Sequence, residues 1–249
     1  MSNPTGSRLK FCHAALLGTT ALVCLSVVEP VFAETFNVDK NSDKNSDKTN
    51  GGYTINGSDT LNVNALIETV NKNGVKATGS GNTVNINSGK GEVSVTGPNS
   101  YGIFNDGKNS TVTVNSGTKI TVDGSAGTQG LVFGIQNKSA NNTTIIDGTV
   151  DVTGLNARGV WGYSQTQKLT EVLSTGVINV NGEGAVGIFV QSGNTTKVAG
   201  SITTVGDASP KNSSHGVFNE GNANTTTVSG SISTQGKTAY GIYNKGKSN

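Results

Sequence analysis

A four-residue phrase returns along the chain every 25 to 32 residues, and this repeat limits the fold more than any other feature. Each copy reads glycine, an aliphatic residue, and then usually an aromatic residue and an asparagine. A period of this size is typical of stacked structural repeats, in which each unit covers the open face of its neighbour. The copies begin at Gly74, Gly102, Gly134, Gly159, Gly187, Gly216 and Gly241.

A second phrase lies between these copies and consists of a short apolar and Thr-rich segment bracketed by two glycines. In four of its five copies the next glycine of the first phrase follows five residues later. The exceptions to this spacing lengthen the same corner of the unit, as insertions in a solenoid do. The bracketed segments are 91–97, 148–154, 176–182, 200–206 and 230–236.

The composition favours strands over helices. The chain of 249 residues contains 35 glycines and four prolines, and its aliphatic residues are mostly Val and Ile at alternate positions, as in Thr111–Asn115. Alternating β-branched residues predict half-buried strands. Each unit is expected to supply three strands, of which Thr195–Val198, Thr149–Val152 and Ser201–Thr204 are examples.

These strands predict an all-β, right-handed parallel β-helix of about seven coils, stacked about 4.8 Å apart. The glycines are interpreted as corners at which positive φ allows a sharp change of direction. The aliphatic residue of each phrase is expected to lie in one buried column, formed by Ile103, Ile135, Val160, Ile188, Val217 and Ile242.

The first 33 residues have the three parts of a secretory signal peptide. Two cations, Arg8 and Lys10, precede an apolar run over 11–28, and small residues end the segment before Glu34. An uncleaved membrane anchor is the alternative interpretation. Both cysteines of the chain lie inside this segment, so the mature protein is expected to contain none.

The region after the signal peptide divides into three parts. Residues 34–52 are polar and repeat a charged tetrapeptide, which predicts a disordered spacer. Residues 53–73 are expected to form an N-terminal cap or a first coil, with a helical turn at Ala65–Val70 as one form of the cap. Residues 74–249 are predicted to form the β-helix.

The sequence does not predict an enzyme, a cofactor site or a metal site. Its acidic residues are scattered, and no pair recurs at a spacing that would place two carboxylates side by side. His215 and Arg158 stand immediately before a phrase glycine, so both are interpreted as coil-corner residues. The net charge of +2 and the absence of a basic stripe argue against nucleic acid as a partner.

One feature is a candidate for partner binding. The residue after the aliphatic position is aromatic in most copies, and two interpretations stay open. The rings could line the outside of the rod and contact sugars or a partner surface, or they could form a covered ladder that only stabilises the solenoid. The candidate contact residues are Phe104, Trp161, Phe189, Phe218 and Tyr243.

The signal peptide followed by cysteine-free, Gly/Asn/Thr-rich repeats with Gly-Ile-Phe-Asn phrases resembles the passenger region of a Gram-negative autotransporter. The likeness covers residues 34–249. It implies an exported, cell-surface or extracellular adhesin or stalk, whose partner is a host or bacterial surface protein or glycan. In that family an outer-membrane barrel displays the passenger; this sequence carries none, so a fragment of a longer protein or a truncated gene product is expected, with the β-helix truncated at its C-terminus.

Two other functions remain open at this point. One is a secreted carbohydrate-active β-helix enzyme, and the other is a passenger exported through a separate partner pore. For the adhesin, binding is expected to concentrate in the longer corner loops, Ser125–Leu131 and Asp207–His215.

Overall fold

The computed structural model describes residues 33–38, 52–125, 130–163, 168–206 and 214–249, and in this part of the chain the protein is all-β. These residues form 23 strands, and no helix capable of crossing a membrane is found among them. The proposed signal peptide, apart from Ala33, and most of the proposed spacer lie outside the described residues.

The strands form three parallel sheets that run along the solenoid, as the sequence predicted. Sheet 1 contains the first-phrase strands β2 (Tyr53–Asn56), β5 (Asn73–Thr78), β8 (Tyr101–Asn105), β11 (Phe133–Asn137), β14 (Arg158–Gly162), β17 (Val186–Val190), β20 (His215–Asn219) and β23 (Tyr240–Asn244). Sheet 2 contains the Thr/Val strands β1 (Thr35–Val38), β3 (Thr60–Val63), β6 (Thr83–Ile86), β9 (Thr111–Val114), β12 (Thr143–Ile146), β15 (Leu169–Val172), β18 (Thr195–Val198) and β21 (Thr225–Val228). Sheet 3 contains the glycine-bracketed strands β4 (Leu66–Val70), β7 (Glu92–Thr96), β10 (Lys119–Asp123), β13 (Thr149–Thr153), β16 (Val177–Asn181), β19 (Ser201–Val205) and β22 (Ser231–Gln235).

One coil runs through sheets 1, 2 and 3 in turn, and seven such coils follow one another from β2 to β22. Each strand pairs with the equivalent strand of the next coil in constant register. The predicted column is therefore real: Ile103, Ile135 and Val160 are register partners, and all three are fully buried. Ile242 lies in β23, the last strand of sheet 1 among the described residues, and is 42% exposed.

Glycine is required at the start of the first phrase for a different reason from the one predicted. Gly102, Gly134 and their equivalents are absent from the positive-φ residues. A Cβ at Gly134 would lie 2.5 Å from Cγ1 of Val150 and 2.6 Å from the carbonyl oxygen of Gly159. This glycine is therefore required by close packing onto sheet 3 and onto the next coil, not by a corner conformation.

Positive φ does occur at the end of the bracketed segment, where the sequence interpretation is confirmed. Gly154, Gly182 and Gly206 have φ of 149°, 136° and 154°. Glycine adopts these angles without the steric cost that a Cβ would add. The chain turns there from sheet 3 into sheet 1.

The asparagine of the phrase points into the solenoid and is part of an internal polar ladder. Asn105 Nδ2 donates to Asn137 Oδ1 at 3.0 Å, and Asn137 Nδ2 donates to Thr144 Oγ1 at 2.8 Å. Both asparagines are almost fully buried. Because buried amides need partners, this column fixes the stacking of neighbouring coils at the corner between sheets 1 and 2.

A second buried column lies immediately before each strand of sheet 2 from β3 to β21. Here a side-chain oxygen in one coil accepts a hydrogen bond from a backbone N–H of the preceding coil. Ser110 N donates to Asn142 Oδ1, and Asn194 N donates to Asn224 Oδ1, both at 2.9 Å. Lys168 occupies this column between Asn142 and Asn194 and is 4% exposed. Lys168 therefore interrupts the pattern at its own coil.

The N-terminal expectations need two corrections. The helical turn allowed for Ala65–Val70 is wrong, because Leu66–Val70 is a strand that pairs with Glu92–Thr96 and buries Ile67. Part of the predicted spacer is also a strand, since Thr35–Val38 pairs with Thr60–Val63; residues 39–51 of it lie outside the described residues. Apolar and polar residues alternate in Thr35–Val38, as expected of a strand, whereas in Leu66–Val70 only the burial alternates and the residue types do not.

Candidate partner-binding face on sheet 1

Two columns of side chains cover the outer face of sheet 1. The first column precedes the phrase glycine and contains Tyr101, Phe133, Arg158, Val186, His215 and Tyr240. The second follows the aliphatic residue and contains Phe104, Gln136, Trp161, Phe189, Phe218 and Tyr243. The second column includes all five candidate contact residues.

The rings of both columns contact one another and form a continuous aromatic ridge along the rod. Phe133 stacks between Tyr101 at 5.1 Å and Trp161 at 4.8 Å, and Phe189 meets Phe218 edge-on at 4.9 Å. The aromatic ridge consists of Tyr101, Phe104, Phe133, Trp161, Tyr163, Phe189, His215, Phe218, Tyr240 and Tyr243.

The rings of this column lie on the outer face of sheet 1 and also contact one another, and their contact with a partner stays a prediction. Phe104, Trp161 and Phe218 are half-buried, Phe189 is buried, and Tyr243 is exposed. The faces of the rings are largely occupied by neighbouring rings, which is the stabilising ladder.

Arg158 lies within the ridge, where the sequence indicated only a corner residue. Its guanidinium carbon is 4.7 Å from the ring centroid of Phe189 and 5.8 Å from that of Trp161, and Nη1 donates to the carbonyl of Asn156 at 2.8 Å. Burial lowers the pKa of Arg158 to about 10, and Glu220 opposes that shift. The side chain is therefore a cation at neutral pH, held over two rings.

His215 is a packed corner residue in the same column, as predicted. It is 2% exposed, and its ring lies 4.8 Å from Tyr243 and 5.5 Å from Tyr240. Burial lowers its pKa, so the imidazole is neutral near pH 7.

Several buried polar atoms of this face have no hydrogen-bond partner. They are Gln136 Oε1, Arg158 Nε, Trp161 Nε1 and His215 Nδ1. An unpaired buried polar group costs about 1–3 kcal/mol, so such groups need an explanation. Their concentration beside the ridge makes this face the strongest candidate for binding.

The described carboxylates are engaged mainly with neighbouring coils. Asp151 pairs with Lys119 at 2.7 Å and accepts a hydrogen bond from Asn179, whereas Asp147 accepts one from Thr175. Asp147 and Asp151 thus have separate partners. No group of three His, Cys, Asp or Glu side chains arranged to hold a metal ion occurs in the ranges that the structure describes.

The two corner loops expected to carry binding are only partly described. Residues 126–129 of the first loop and 207–213 of the second lie outside the described residues. At their ends, Leu131 is exposed and its N–H donates to Asn99 Oδ1 at 3.3 Å, whereas His215 is buried.

Sequence reasoning missed three features of this region. It did not use the inward asparagine, the ring of Phe133, or the packing of Lys168 against Gly162, where Cδ of Lys168 lies 3.4 Å from the position of an added Gly162 Cβ. The inward asparagine was visible in the sequence as the recurrent fourth residue of the phrase. Gly162 and Lys168 were visible as two positions of one coil where other coils have asparagine. Comparisons with protein-family models, curated proteins and solved structures find no match to this chain.

Proposed function

We propose that this protein is an exported, rod-shaped binding protein, the passenger segment of an autotransporter-like adhesin. It contacts a protein or glycan on a host or bacterial surface through the outer face of sheet 1. The observation that carries the proposal is the aromatic ridge with its unpartnered buried polar atoms on one side of a regular solenoid. Aromatic side chains accompanied by a few unpaired polar groups are typical of recognition surfaces.

Export is the first part of the proposal and has its own test. The full chain is expressed in a Gram-negative host with an outer-membrane barrel supplied on the same or a separate chain. We expect mature protein in the envelope or medium, with Glu34 as its first residue. Retention of the uncleaved chain in the cytoplasm would contradict export, and the two barrel arrangements distinguish a fused from a separate pore.

Binding by sheet 1 is the second part. The purified full chain is applied to epithelial monolayers and to bacterial cells, and the bound fraction is measured. Phe104→Ala combined with Tyr243→Ala should reduce binding at least fivefold. The matched control is Thr113→Ala combined with Thr143→Ala, which changes two outward positions of sheet 2. Equal binding by both variants would indicate a stalk that only spaces other domains.

A further inference from the structure

Trp161 and Tyr163 form an aromatic corner on the outer face of sheet 1. Their ring centroids are 5.0 Å apart and their planes are at 89°. One face of Trp161 is covered by Phe133, whereas Tyr163 is 46% exposed. The corner therefore offers one accessible ring beside a largely enclosed one.

Three unpartnered polar atoms surround this corner. Trp161 Nε1 is a donor, Arg158 Nε is a second donor, and Gln136 Oε1 is an acceptor. Gln136 is the register partner of Trp161 on the neighbouring strand, and the guanidinium carbon of Arg158 is 5.8 Å from the Trp161 ring. We call the set the Trp161 corner; its members are Gln136, Arg158, Trp161 and Tyr163.

Two donors and one acceptor beside an accessible ring match the chemistry of a sugar. A hydroxyl group donates and accepts, so adjacent hydroxyls can satisfy all three atoms, and the C–H face of a pyranose packs on an aromatic ring. Unpaired donors and acceptors gain most from such a ligand, because their desolvation cost is already present in the free protein.

The alternatives fit this corner less well. Strands β11 and β14 are each paired on both sides, so an extended peptide finds no free strand edge here. The cation of Arg158 is already engaged within the protein, because its guanidinium lies over the Phe189 ring and Nη1 donates to the carbonyl of Asn156. A neutral ligand therefore fits better than an acidic one.

We propose that the Trp161 corner binds a neutral pyranose of a surface glycan. This inference rests on the proposed function, because it names the partner of the same face. The three polar atoms are buried in the free protein, so the ligand displaces a side chain to reach them. Tyr163 is the most exposed ring in contact with Trp161; it turns aside to admit the sugar and then packs against the C–H face of the sugar.

The chain provides its own probe, since Trp161 is its single tryptophan. Fluorescence of the full chain is titrated with oligosaccharides of glucose, galactose, mannose and N-acetylglucosamine. Uronic-acid oligosaccharides and a polar, unstructured peptide serve as contrasting probes. We expect a saturable change with at least one neutral sugar and none with the contrasting probes.

Two variants test the assignment of residues. Gln136→Leu removes the acceptor, and Tyr163→Ala removes the accessible ring; each should weaken sugar binding at least tenfold. Tyr53→Ala, an exposed tyrosine of the first coil on the same sheet, is the control and should bind as the unchanged chain does. Circular dichroism checks that each variant retains its strands.

The outcomes separate the two proposals. Binding of sugar that survives Gln136→Leu and Tyr163→Ala overturns the assignment to this corner. A response to the acidic sugars or the peptide alone overturns the neutral-sugar proposal. If no sugar changes the fluorescence while the chain still binds cells through sheet 1, the glycan inference fails and the proposed function stands. If cell binding is also absent, both fail.

Discussion

The side chain of Lys168 fills the space that Gly162 leaves open inside the solenoid. A Cβ at Gly162 would lie 3.4 Å from Cδ of Lys168. Gly162 stands in the column of Asn137, and Lys168 stands in the column of Asn142, so one coil has lost both of its internal asparagines. Lys168 Nζ and Asn194 Oδ1 are left without partners there.

Lys168 should make the free energy of unfolding depend on pH in the alkaline range. Burial lowers its pKa from 10.5 to about 8, so between these values the unfolded chain holds a proton that the folded chain has lost. The free energy of unfolding therefore rises with pH across this window, on the order of 2 kcal/mol. Chemical denaturation at pH 7.5 and pH 10 should show this rise in the unchanged chain and a smaller one in Lys168→Met.

The exposed Lys197 of sheet 2 is the matched control, because Lys197→Met removes a lysine without removing a buried one. A pH dependence that is the same in Lys168→Met and Lys197→Met would contradict the argument.

The cost of replacing a phrase glycine by alanine should depend on how closely other atoms approach that glycine, and not on its place in the phrase. Gly134→Ala would force a Cβ to 2.5 Å from Val150 and 2.6 Å from the Gly159 carbonyl, and should cost about 2–3 kcal/mol. Gly241→Ala places its Cβ no closer than 3.9 Å to another group and should be nearly neutral. Both free energies come from denaturant titration. Equal destabilisation of the two variants would restore the corner interpretation.

The internal asparagine ladder should contribute more to stability than a similar ladder on the surface. Asn137→Ala leaves Asn105 Nδ2 and Thr144 Oγ1 without their buried partner and should cost about 1–3 kcal/mol. Asn85→Ala removes a 3.0 Å bond to Asn62 on the outer face of sheet 2 and should cost about 0.5 kcal/mol or less. Thermal unfolding of the two variants makes the comparison, and an equal loss would contradict it.

His215 should make the protein less stable in acid. Its pKa in the folded state is lowered below 6.5 by burial, so the unfolded chain takes up the proton first as the pH falls below that value. His215→Phe keeps a ring against Tyr240 and Tyr243 but cannot be protonated. The variant should gain stability relative to the unchanged chain between pH 7.5 and pH 5. A difference that does not change with pH would show that His215 has no such role.

The period and alternation of the sequence predicted the architecture closely because both reflect the same physical requirement. Each strand must bury every second residue against its neighbours, so Thr195–Val198 could be located from its pattern alone. The column from Ile103 to Val217 followed from the spacing of the phrase. Strand ends were missed by one residue at Thr149–Thr153 and Ser201–Val205, where the pairing continues into the turn.

The sequence was less informative about side chains whose role depends on the adjoining coil. The requirement for Gly134 is steric and comes from Val150 and Gly159, which lie 16 and 25 residues away. The contact between Phe133 and Trp161 depends on coil stacking, and so do the unpaired atoms of Gln136 and Arg158. Alignment of equivalent positions in successive repeats could therefore identify the candidate rings but could not establish which of their faces are covered.

The constant register between coils also determines how the protein can fold. A folded coil exposes three unpaired strand edges and a set of apolar side chains to the residues that follow. Each new coil that pairs with it closes a loop of about one repeat. The entropic cost of that closure does not grow as the rod lengthens. Folding then resembles growth from a nucleus: forming the first pair of coils is slow, and every later coil is added by the same short-range step, whatever the final length of the chain.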